Sequence, residues 1–132
     1  MLGGVSFDRG TLSLWDETPE IEIETSRGAG APVHRTVIWI VVDGDAVYVR
    51  SVRGRSGRWY RELTANPHGA VHAGGRRVAV EAQPAADDAT NARVGELLRR
   101  KYEQRWPGPT ASMLRDEILS TTLRLTPGAA AG

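Results

Sequence analysis

One strongly apolar segment constrains the fold of this chain more than any other. Residues 36–43 read TVIWIVVD, and their centre, VIWIVV, is apolar on both faces of an extended strand. Because alternate side chains of a strand point to opposite faces, both faces must be covered, as in a barrel wall or at a subunit interface. We therefore expect a strand over Val33–Asp43 that is buried on both sides.

The residues that follow this strand predict a hairpin. Asp43-Gly44 is a strong signal for a short β-turn, and Ala46–Val52 (AVYVRSV) then resumes an extended pattern. In this second strand Val47, Val49 and Ser51 share one face, whereas Tyr48, Arg50 and Val52 share the other. The two strands are expected to pair along their length.

Turn residues divide the remainder into short elements. We predict a strand at Glu20–Ser26 with Ile21, Ile23 and Thr25 on one face, a turn at Arg27–Pro32, and a helix at Ser56–Thr64 with Ser56 as N-cap. Further on, we predict a hairpin of Ala70–Ala73 and Arg77–Gln83 about Gly74-Gly75, a helix from Asp87 or Asp88 to about Tyr102, a weaker helix at Thr110–Leu119, and a closing strand at Ser120–Leu125.

This element order predicts a mainly β fold with flanking α-helices. Two hairpins and a returning strand favour an antiparallel sheet, and about six strands with a two-sided apolar hairpin favour a small barrel. We expect one domain at residues 20–127 and a flexible tail at residues 128–132. Residues 1–19 suit either a short helix starting near Asp8 or an irregular segment interrupted by Gly10 and Pro19.

The composition excludes several classes of function. The net charge of +1 gives no sign of a nucleic-acid or anionic membrane partner, and the absence of cysteine excludes disulfides and thiolate sites. No apolar run approaches a membrane span and no secretory signal is present, so we expect a cytoplasmic protein. His34, His68 and His72 lack metal-ligand spacing, so no metal site is predicted.

An arginine-rich loop is the best candidate for a binding site. The sequence from Arg53 to Arg58, RGRSGR, combines guanidinium groups, the Ser56 hydroxyl and glycines that let backbone N–H groups approach an anion. Pairing about Asp43-Gly44 would bring His34 and Arg35 beside Arg53 and Arg55, four cationic or potentially cationic groups without nearby acids. This loop predicts a phosphate site, although a solvated surface loop remains the alternative.

The aromatic residues divide into core and site candidates. Trp39 lies in a buried strand and is expected in the core. Trp59 and Tyr60 are adjacent on a helix, so one packs inward while the other is free to cover a ring or a dimer seam. Tyr102 and Trp106, at a helix end, are candidates for a pocket lid or an interface, with core packing the alternative for Tyr102.

Several segments also resemble a known superfamily. EIEIETSR, the segment YVRSVRGRSGRWYRELTANP, RRKYEQRW and the ending STTLRLTP are similar to the flavin- and deazaflavin-binding split β-barrel proteins. This superfamily includes pyridoxamine-phosphate oxidase and deazaflavin-dependent nitroreductases. The likeness extends from about Glu20 to Pro127 and is greatest to a small, functionally unassigned branch.

The resemblance implies a six-stranded antiparallel split β-barrel of the FMN-binding type, assembled as a homodimer. It implies FMN or a deazaflavin (coenzyme F-420) as cofactor, its ring lying on the barrel between two subunits. The residues expected to bind the cofactor are His34, Arg35, Val49, Arg50, Ser51, Val52, Arg53, Arg55, Ser56 and Trp59, and Tyr60, Tyr102 and Trp106 are expected near a substrate.

The leading functional hypothesis is an oxidoreductase that transfers a hydride to a small organic substrate. No Ser/His/Asp set or carboxylate pair stands out, so no catalytic residue is assigned, and this absence favours chemistry carried by a bound cofactor. One alternative is a protein that binds or sequesters the cofactor without turnover. Another is a barrel that has lost its cofactor and uses the cleft for a small apolar molecule.

Overall fold

The structure is a computed structural model that describes residues 6–128. Within this range the helices are α1 (Arg9–Glu17), α2 (Arg58–Ala65), α3 (Asp88–Tyr102) and α4 (Pro107–Met113), and the strands are β1 (Ile21–Ser26), β2 (Val33–Ile38), β3 (Val41–Asp43), β4 (Ala46–Val49), β5 (His68–Ala73), β6 (Arg76–Pro84) and β7 (Leu123–Pro127). Short 3₁₀ turns at Gly54–Ser56 and Asp116–Thr121 precede α2 and β7. Residues 1–5 of the predicted N-terminal segment and residues 129–132 of the predicted flexible tail lie outside the described range.

A single curled antiparallel sheet carries the fold. Its strand order is β2-β1-β5-β6-β7-β4-β3, so β2 and β3 occupy opposite edges although they follow one another in the chain. Only Trp39 and Ile40 separate these two strands. Because two residues span a short distance, the sheet must curl until its edges approach each other. The predicted split β-barrel is confirmed.

The predicted long strand over Val33–Asp43 is divided in the structure. It breaks at Trp39 and Ile40 into β2 and β3, which accounts for the increase from six predicted strands to seven within residues 6–128. The described residues of this single chain do not cover the outward face of β2, where the sequence predicted burial in a barrel wall or at a subunit interface. Its outward side chains Val33 and Val37 are 61% and 55% exposed, because no element of this chain within the described residues covers that face.

Two apolar clusters support the sheet. The barrel interior holds inward side chains of every long strand together with α1 and α2; these include Trp15, Ile21, Ile23, Ile40, Val47, Val49, Leu63, Val71, Val80, Leu123 and Leu125. The second cluster lies where α3 and α4 cover β3, and it contains Val41, Val94, Leu97, Leu98, Tyr102, Met113 and Ile118. As predicted, β1 buries Ile21, Ile23 and Thr25 on one face.

The break between β2 and β3 is held by the end of α3. Ile40 belongs to neither strand, so its buried backbone groups need partners outside the sheet ladder. Its N–H donates to the Tyr102 hydroxyl at 3.2 Å, and that hydroxyl donates to the Pro19 carbonyl at 2.7 Å. The Lys101 ammonium donates to the carbonyls of Ile40 and Trp15 at 2.7 and 2.8 Å. These contacts fix the place where the chain crosses from one sheet edge to the other.

The helices differ from expectation mainly at their ends. The open question at residues 1–19 resolves as helix α1, whose N-cap Asp8 accepts a hydrogen bond from the Thr11 N–H at 2.7 Å. The weaker helix expected at Thr110–Leu119 is replaced by α4 and a 3₁₀ turn, because Pro107 suits the first turn of a helix. None of the helices within the described range is long and apolar enough to cross a membrane.

The Tyr102→Phe substitution tests whether the Tyr102 hydroxyl stabilises the fold by holding the break between β2 and β3. It removes the hydroxyl that serves Ile40 and Pro19, and Tyr102 is only 1% exposed, so water does not readily replace it. We expect the free energy of unfolding to fall by about 1–3 kcal/mol, measured by urea denaturation. Tyr60→Phe is the matched control, because the Tyr60 hydroxyl makes no hydrogen bond within residues 6–128. Equal losses in the two variants would contradict this role.

Lys101 predicts a pH-dependent contribution to stability. Burial lowers its pKa from the ordinary value of 10.5 to about 8, although the charge of Asp16 opposes the shift. Between these values the unfolded chain binds more protons than the folded one, so stability rises with pH in that window. We expect the unfolding free energy of the wild type, minus that of Lys101→Met, to increase from pH 8 to 10. A difference that stays constant would exclude the coupling.

Candidate functional site

An open groove of about 1100 Å³ lies beside the break in the sheet. Its walls come from the end of β2 and the break (36–39), residues 50–53, the N-cap and first two residues of α2 (57–59) and the segment from Trp106 to Met113, with Glu20 at one side. A groove of this size is large enough for a ligand of cofactor dimensions. Four of the residues predicted to bind a cofactor, Arg50, Ser51, Val52 and Arg53, lie side by side along it.

Ser51 organises the loop between β4 and α2. Its N–H donates to the Thr121 hydroxyl at 3.0 Å, and its hydroxyl donates to the Gly54 carbonyl at 2.8 Å. The Gly54 N–H returns a hydrogen bond to the Ser51 carbonyl at 3.0 Å, and the φ of +66° at Gly54 favours glycine. Ser51 is 1% exposed, and its hydrogen bonds fix the conformation of the loop.

Gly57, rather than the predicted Ser56, is the N-cap of α2. A Cβ at Gly57 would lie 2.6 Å from the Ser51 hydroxyl oxygen, so this position leaves no room for a side chain. Ser56 instead lies in the 3₁₀ turn and donates to the Arg53 carbonyl at 2.9 Å. Consequently the first turn of α2, whose N–H groups have no acceptor within the helix, opens directly at the groove.

Two arginines give one rim of the groove a positive charge. Arg53 and Arg58 both line it, and both side chains are exposed. Neither makes a salt bridge within residues 6–128, whereas Arg35, Arg77 and Arg93 all do so. Together with the N-terminus of α2, these two guanidinium groups form a surface suited to a phosphate or carboxylate.

Arg50 is buried beneath this rim, and its hydrogen-bond partners among residues 6–128 are all neutral. It is 2% exposed and donates to the Thr122 hydroxyl at 2.8 Å, the Met113 carbonyl at 2.9 Å and the Asn91 side-chain oxygen at 3.1 Å. Burial lowers its pKa to about 10. Arg50 thus joins the end of β4 to α3 and α4. Its positive charge lies next to the groove and is not paired with a carboxylate in the described part of the chain.

Another part of the groove wall is aromatic. Trp39 stacks on Tyr102 with ring centroids 3.9 Å apart and planes 6° apart, and Trp106 lies 5.7 Å from Trp39 at 23°. Trp39 and Trp106 line the groove, whereas Tyr102 is buried behind them. The Arg105 guanidinium lies 5.2 Å from the Trp106 ring centroid. Trp39, expected in the core, packs against the second apolar cluster and also lines the groove, which the sequence did not reveal.

The expected convergence of four cationic groups does not occur. β2 pairs with β1, while only β3 pairs with β4, so the hairpin is too short to bring residues 34 and 35 to the loop. Both side chains also contact nearby carboxylates: His34 Nδ1 lies 3.0 Å from Glu62 Oε2, and the Arg35 guanidinium donates to Glu22. The pairing prediction failed because the two-sided apolar run concealed the break at Ile40.

The other predicted site residues lie in several places. Trp59 lines the groove and also packs into the barrel, and Tyr60 packs against the same core. Val49 points into the barrel interior, while Arg55 and Ser56 are exposed in the loop outside the groove wall. The contribution of α4 to the groove could not be predicted from the sequence, since contacts between distant segments leave no periodic signal.

Sequence comparison assigns the chain to a family. The sequence model of a bacterial family, described as uncharacterized protein conserved in bacteria (DUF2255), matches residues 11–125. The chain belongs to this family. No curated protein matches this DUF2255 sequence significantly.

Several solved structures have a fold similar to that of this DUF2255 chain. A Listeria innocua protein, a candidate pyridoxamine 5'-phosphate oxidase, has 16% identity and a TM-score of 0.62 over 91% of this chain and 92% of its own. An F-420-H2 dependent reductase has 14% identity and a TM-score of 0.60 over 93% of this chain and 99% of its own. A protein described as a domain-swapped dimer has 14% identity and a TM-score of 0.59 over 82% of this chain and 79% of its own. At these identities the likeness establishes the shared split-barrel fold.

Gly57→Ala is expected to disturb the groove and the fold together. The added Cβ would meet the Ser51 oxygen at 2.6 Å, so the loop or the start of α2 must shift. We expect a loss of about 1–3 kcal/mol in unfolding free energy by urea denaturation. Gly75→Ala is unsuitable as a control because of its positive φ, whereas Gly108→Ala meets nothing within 4 Å. A Gly57→Ala protein as stable as Gly108→Ala would show that the close approach is unimportant.

Proposed function

We propose that this protein binds a phosphate-bearing flavin or deazaflavin, FMN or coenzyme F-420, in the groove and acts as an oxidoreductase. The observation that carries the proposal is the polarity of the groove. Arg53, in the loop before α2, and Arg58, in its first turn, make no salt bridge within residues 6–128, and Trp39 and Trp106 form an aromatic part of the same groove wall. A planar ring with a phosphate-bearing tail has the same division between an apolar part and an anionic part.

The residues present fit such a cofactor in three respects. The two exposed guanidinium groups and the first N–H groups of α2 suit a phosphate. Val52 is 45% exposed and lines the groove, so an apolar ring would cover a side chain that is otherwise in water. Arg50 places positive charge close by, and none of the described residues pairs a carboxylate with it. In this arrangement the cofactor supplies the redox chemistry, while the chain binds and orients it.

A homodimer is part of the proposal. β2 is an edge strand whose outward valines, Val33 and Val37, are the most exposed large apolar side chains of the described residues. An exposed apolar edge is a common site for association. Val37 also lines the groove, so a second copy against β2 would contribute a wall and exclude water from the ligand. One structural neighbour is itself a domain-swapped dimer.

A carrier without turnover is the second candidate. Apart from arginines, Glu20 is the charged residue of the described groove wall, and it lies exposed at one side. A groove wall with so few acid–base groups is suited to storage or delivery of a cofactor as well as to catalysis. Supplying the reduced cofactor together with a nitroaromatic, a quinone or an enone separates the two roles, because only the enzyme accelerates its oxidation.

Titration with FMN and with coenzyme F-420 tests binding, followed by fluorescence quenching. We expect Arg53→Ala and Arg58→Ala each to weaken binding by about tenfold or more, since each removes a charge-assisted hydrogen bond worth about 1.5–3 kcal/mol. Arg61→Ala is the matched control, because Arg61 is an exposed arginine of α2 that does not line the groove.

Two outcomes would contradict the proposal in different ways. Failure of the wild-type protein to bind either cofactor at millimolar concentration excludes both the enzyme and the carrier. Binding that is equally strong in the wild type, Arg53→Ala, Arg58→Ala and Arg61→Ala would retain a cofactor but exclude this phosphate site.

A further inference from the structure

Arg50 carries a buried positive charge that no acid of the described chain balances. It is 2% exposed, and it makes no salt bridge within residues 6–128. Burial lowers the pKa of its guanidinium to about 10, so Arg50 is charged at neutral pH. Hydrogen bonds to neutral groups recover only part of the free energy that a charge loses when it leaves water. An anion next to Arg50 would therefore be stabilised by this charge.

The hydrogen bonds of Arg50 leave one of its N–H groups unused. A guanidinium has five N–H groups, of which Nε carries one and each Nη carries two. Nε donates to the Thr122 hydroxyl, and Nη2 donates to the backbone and side-chain oxygens of Asn91. Nη1 donates to the Met113 carbonyl at 2.9 Å. Within residues 6–128, the second N–H of Nη1 consequently has no acceptor.

The Nη1 end of Arg50 is bound to the part of the groove wall that α4 forms. Arg50 and Met113, the residue that accepts from Nη1, both line the groove. Ser112, the preceding residue of α4, lines it as well and is only partly buried. The Ser112 hydroxyl makes no hydrogen bond to any residue between 6 and 128. The wall therefore offers two donors, one on Arg50 and one next to Met113, that have no acceptor in the described chain.

The same wall is apolar farther along α4. Trp106, the N-cap of α4, lies about 10 Å from Met113 along the helix axis, at a rise of ~1.5 Å per residue. Its ring lies 5.7 Å from that of Trp39, and Pro109 comes between the two ends of α4; all three residues line the groove. A flat ligand with an apolar body and one anionic group has a matching division.

This region is separate from the rim assigned to the cofactor phosphate. Arg53 lies in the loop before α2 and Arg58 in its first turn, whereas the Arg50 guanidinium is bound to α3 and α4. The groove volume of about 1100 Å³ exceeds the roughly 300–1,000 Å³ of a pocket for one drug-sized ligand. The groove therefore has space for a small second ligand beside a cofactor.

We propose that Arg50 Nη1 and the Ser112 hydroxyl bind the carboxylate of the small-molecule substrate, a flat acid whose aromatic or conjugated body lies along α4 toward Trp106. This inference rests on the proposed oxidoreductase function and adds the chemical class of the substrate. The competing explanation is that Arg50 is purely structural and only joins β4 to α3 and α4.

Isothermal titration calorimetry with trans-cinnamate and cinnamamide, without cofactor, tests the site. The two ligands have nearly the same shape, but only cinnamate is charged. We expect the wild type to bind cinnamate about tenfold or more tightly than cinnamamide, because charge-assisted hydrogen bonds are the stronger ones. Arg50→Gln should abolish this preference. Arg61→Gln is the matched control, since it removes the same charge from an exposed position of α2 outside the groove wall, and it should keep the preference.

Two measurements do not depend on the stability of Arg50→Gln, which also loses hydrogen bonds to α3 and α4. The first is the preference of the wild type itself. The second is Ser112→Ala, which should weaken cinnamate binding several-fold because it removes the second donor. Equal affinity of the wild type for cinnamate and cinnamamide would overturn the proposal. So would failure to bind cinnamate at millimolar concentration, or a folded Arg50→Gln protein that keeps the preference.

A titration of cinnamate in the presence of saturating FMN separates this site from the phosphate site. Hydride transfer requires cofactor and substrate to be bound together, so we expect cinnamate to bind the FMN complex as well as the free protein. Displacement of cinnamate by FMN would overturn the proposal. If neither FMN nor coenzyme F-420 binds but cinnamate binding depends on Arg50, the proposed function fails and the carboxylate site remains. If a cofactor binds and cinnamate shows no preference, this inference alone fails.

Discussion

The fold depends on how the chain crosses from one edge of its sheet to the other at Ile40. β2 and β3 are consecutive yet lie at opposite edges, so the crossing closes the barrel but leaves buried backbone groups outside any ladder. Tyr102 and Lys101 supply the missing partners from α3, and Tyr102 also reaches Pro19 beside α1. Barrel closure, the docking of α3 and the position of α1 are therefore coupled through a few hydrogen bonds.

The same crossing creates the groove. It turns Trp39 outward onto Tyr102, where Trp106 extends the aromatic wall. The tight loop built on Ser51 presents the start of α2 to the same groove, with Arg53 and Arg58 at its rim. A groove wall with both aromatic and cationic parts is thus a consequence of closing this barrel with these loops. The polarity favours a planar ligand with an anionic tail.

Much of the architecture follows from local pattern. Alternation in β1, the Gly74-Gly75 hairpin and the α3 stripe that ends at Tyr102 are periodic or short-range signals, and the structure confirms them. The break at Ile40 could not be seen, because an apolar run has the same composition whether or not it bends. The error carried over to His34 and Arg35, which pair with Glu62 and Glu22 instead of joining the loop. Their partners are distant in sequence, and no spacing rule reports them.

The central claim is that the groove holds a phosphate-bearing planar cofactor by its cationic rim. A crystal structure of the protein with FMN bound tests this most directly. We expect the phosphate to lie within hydrogen-bonding distance of the Arg53 and Arg58 guanidinium groups and the ring to cover Val52. A ligand bound elsewhere, or lying in the groove with its phosphate away from both guanidinium groups, would contradict this claim.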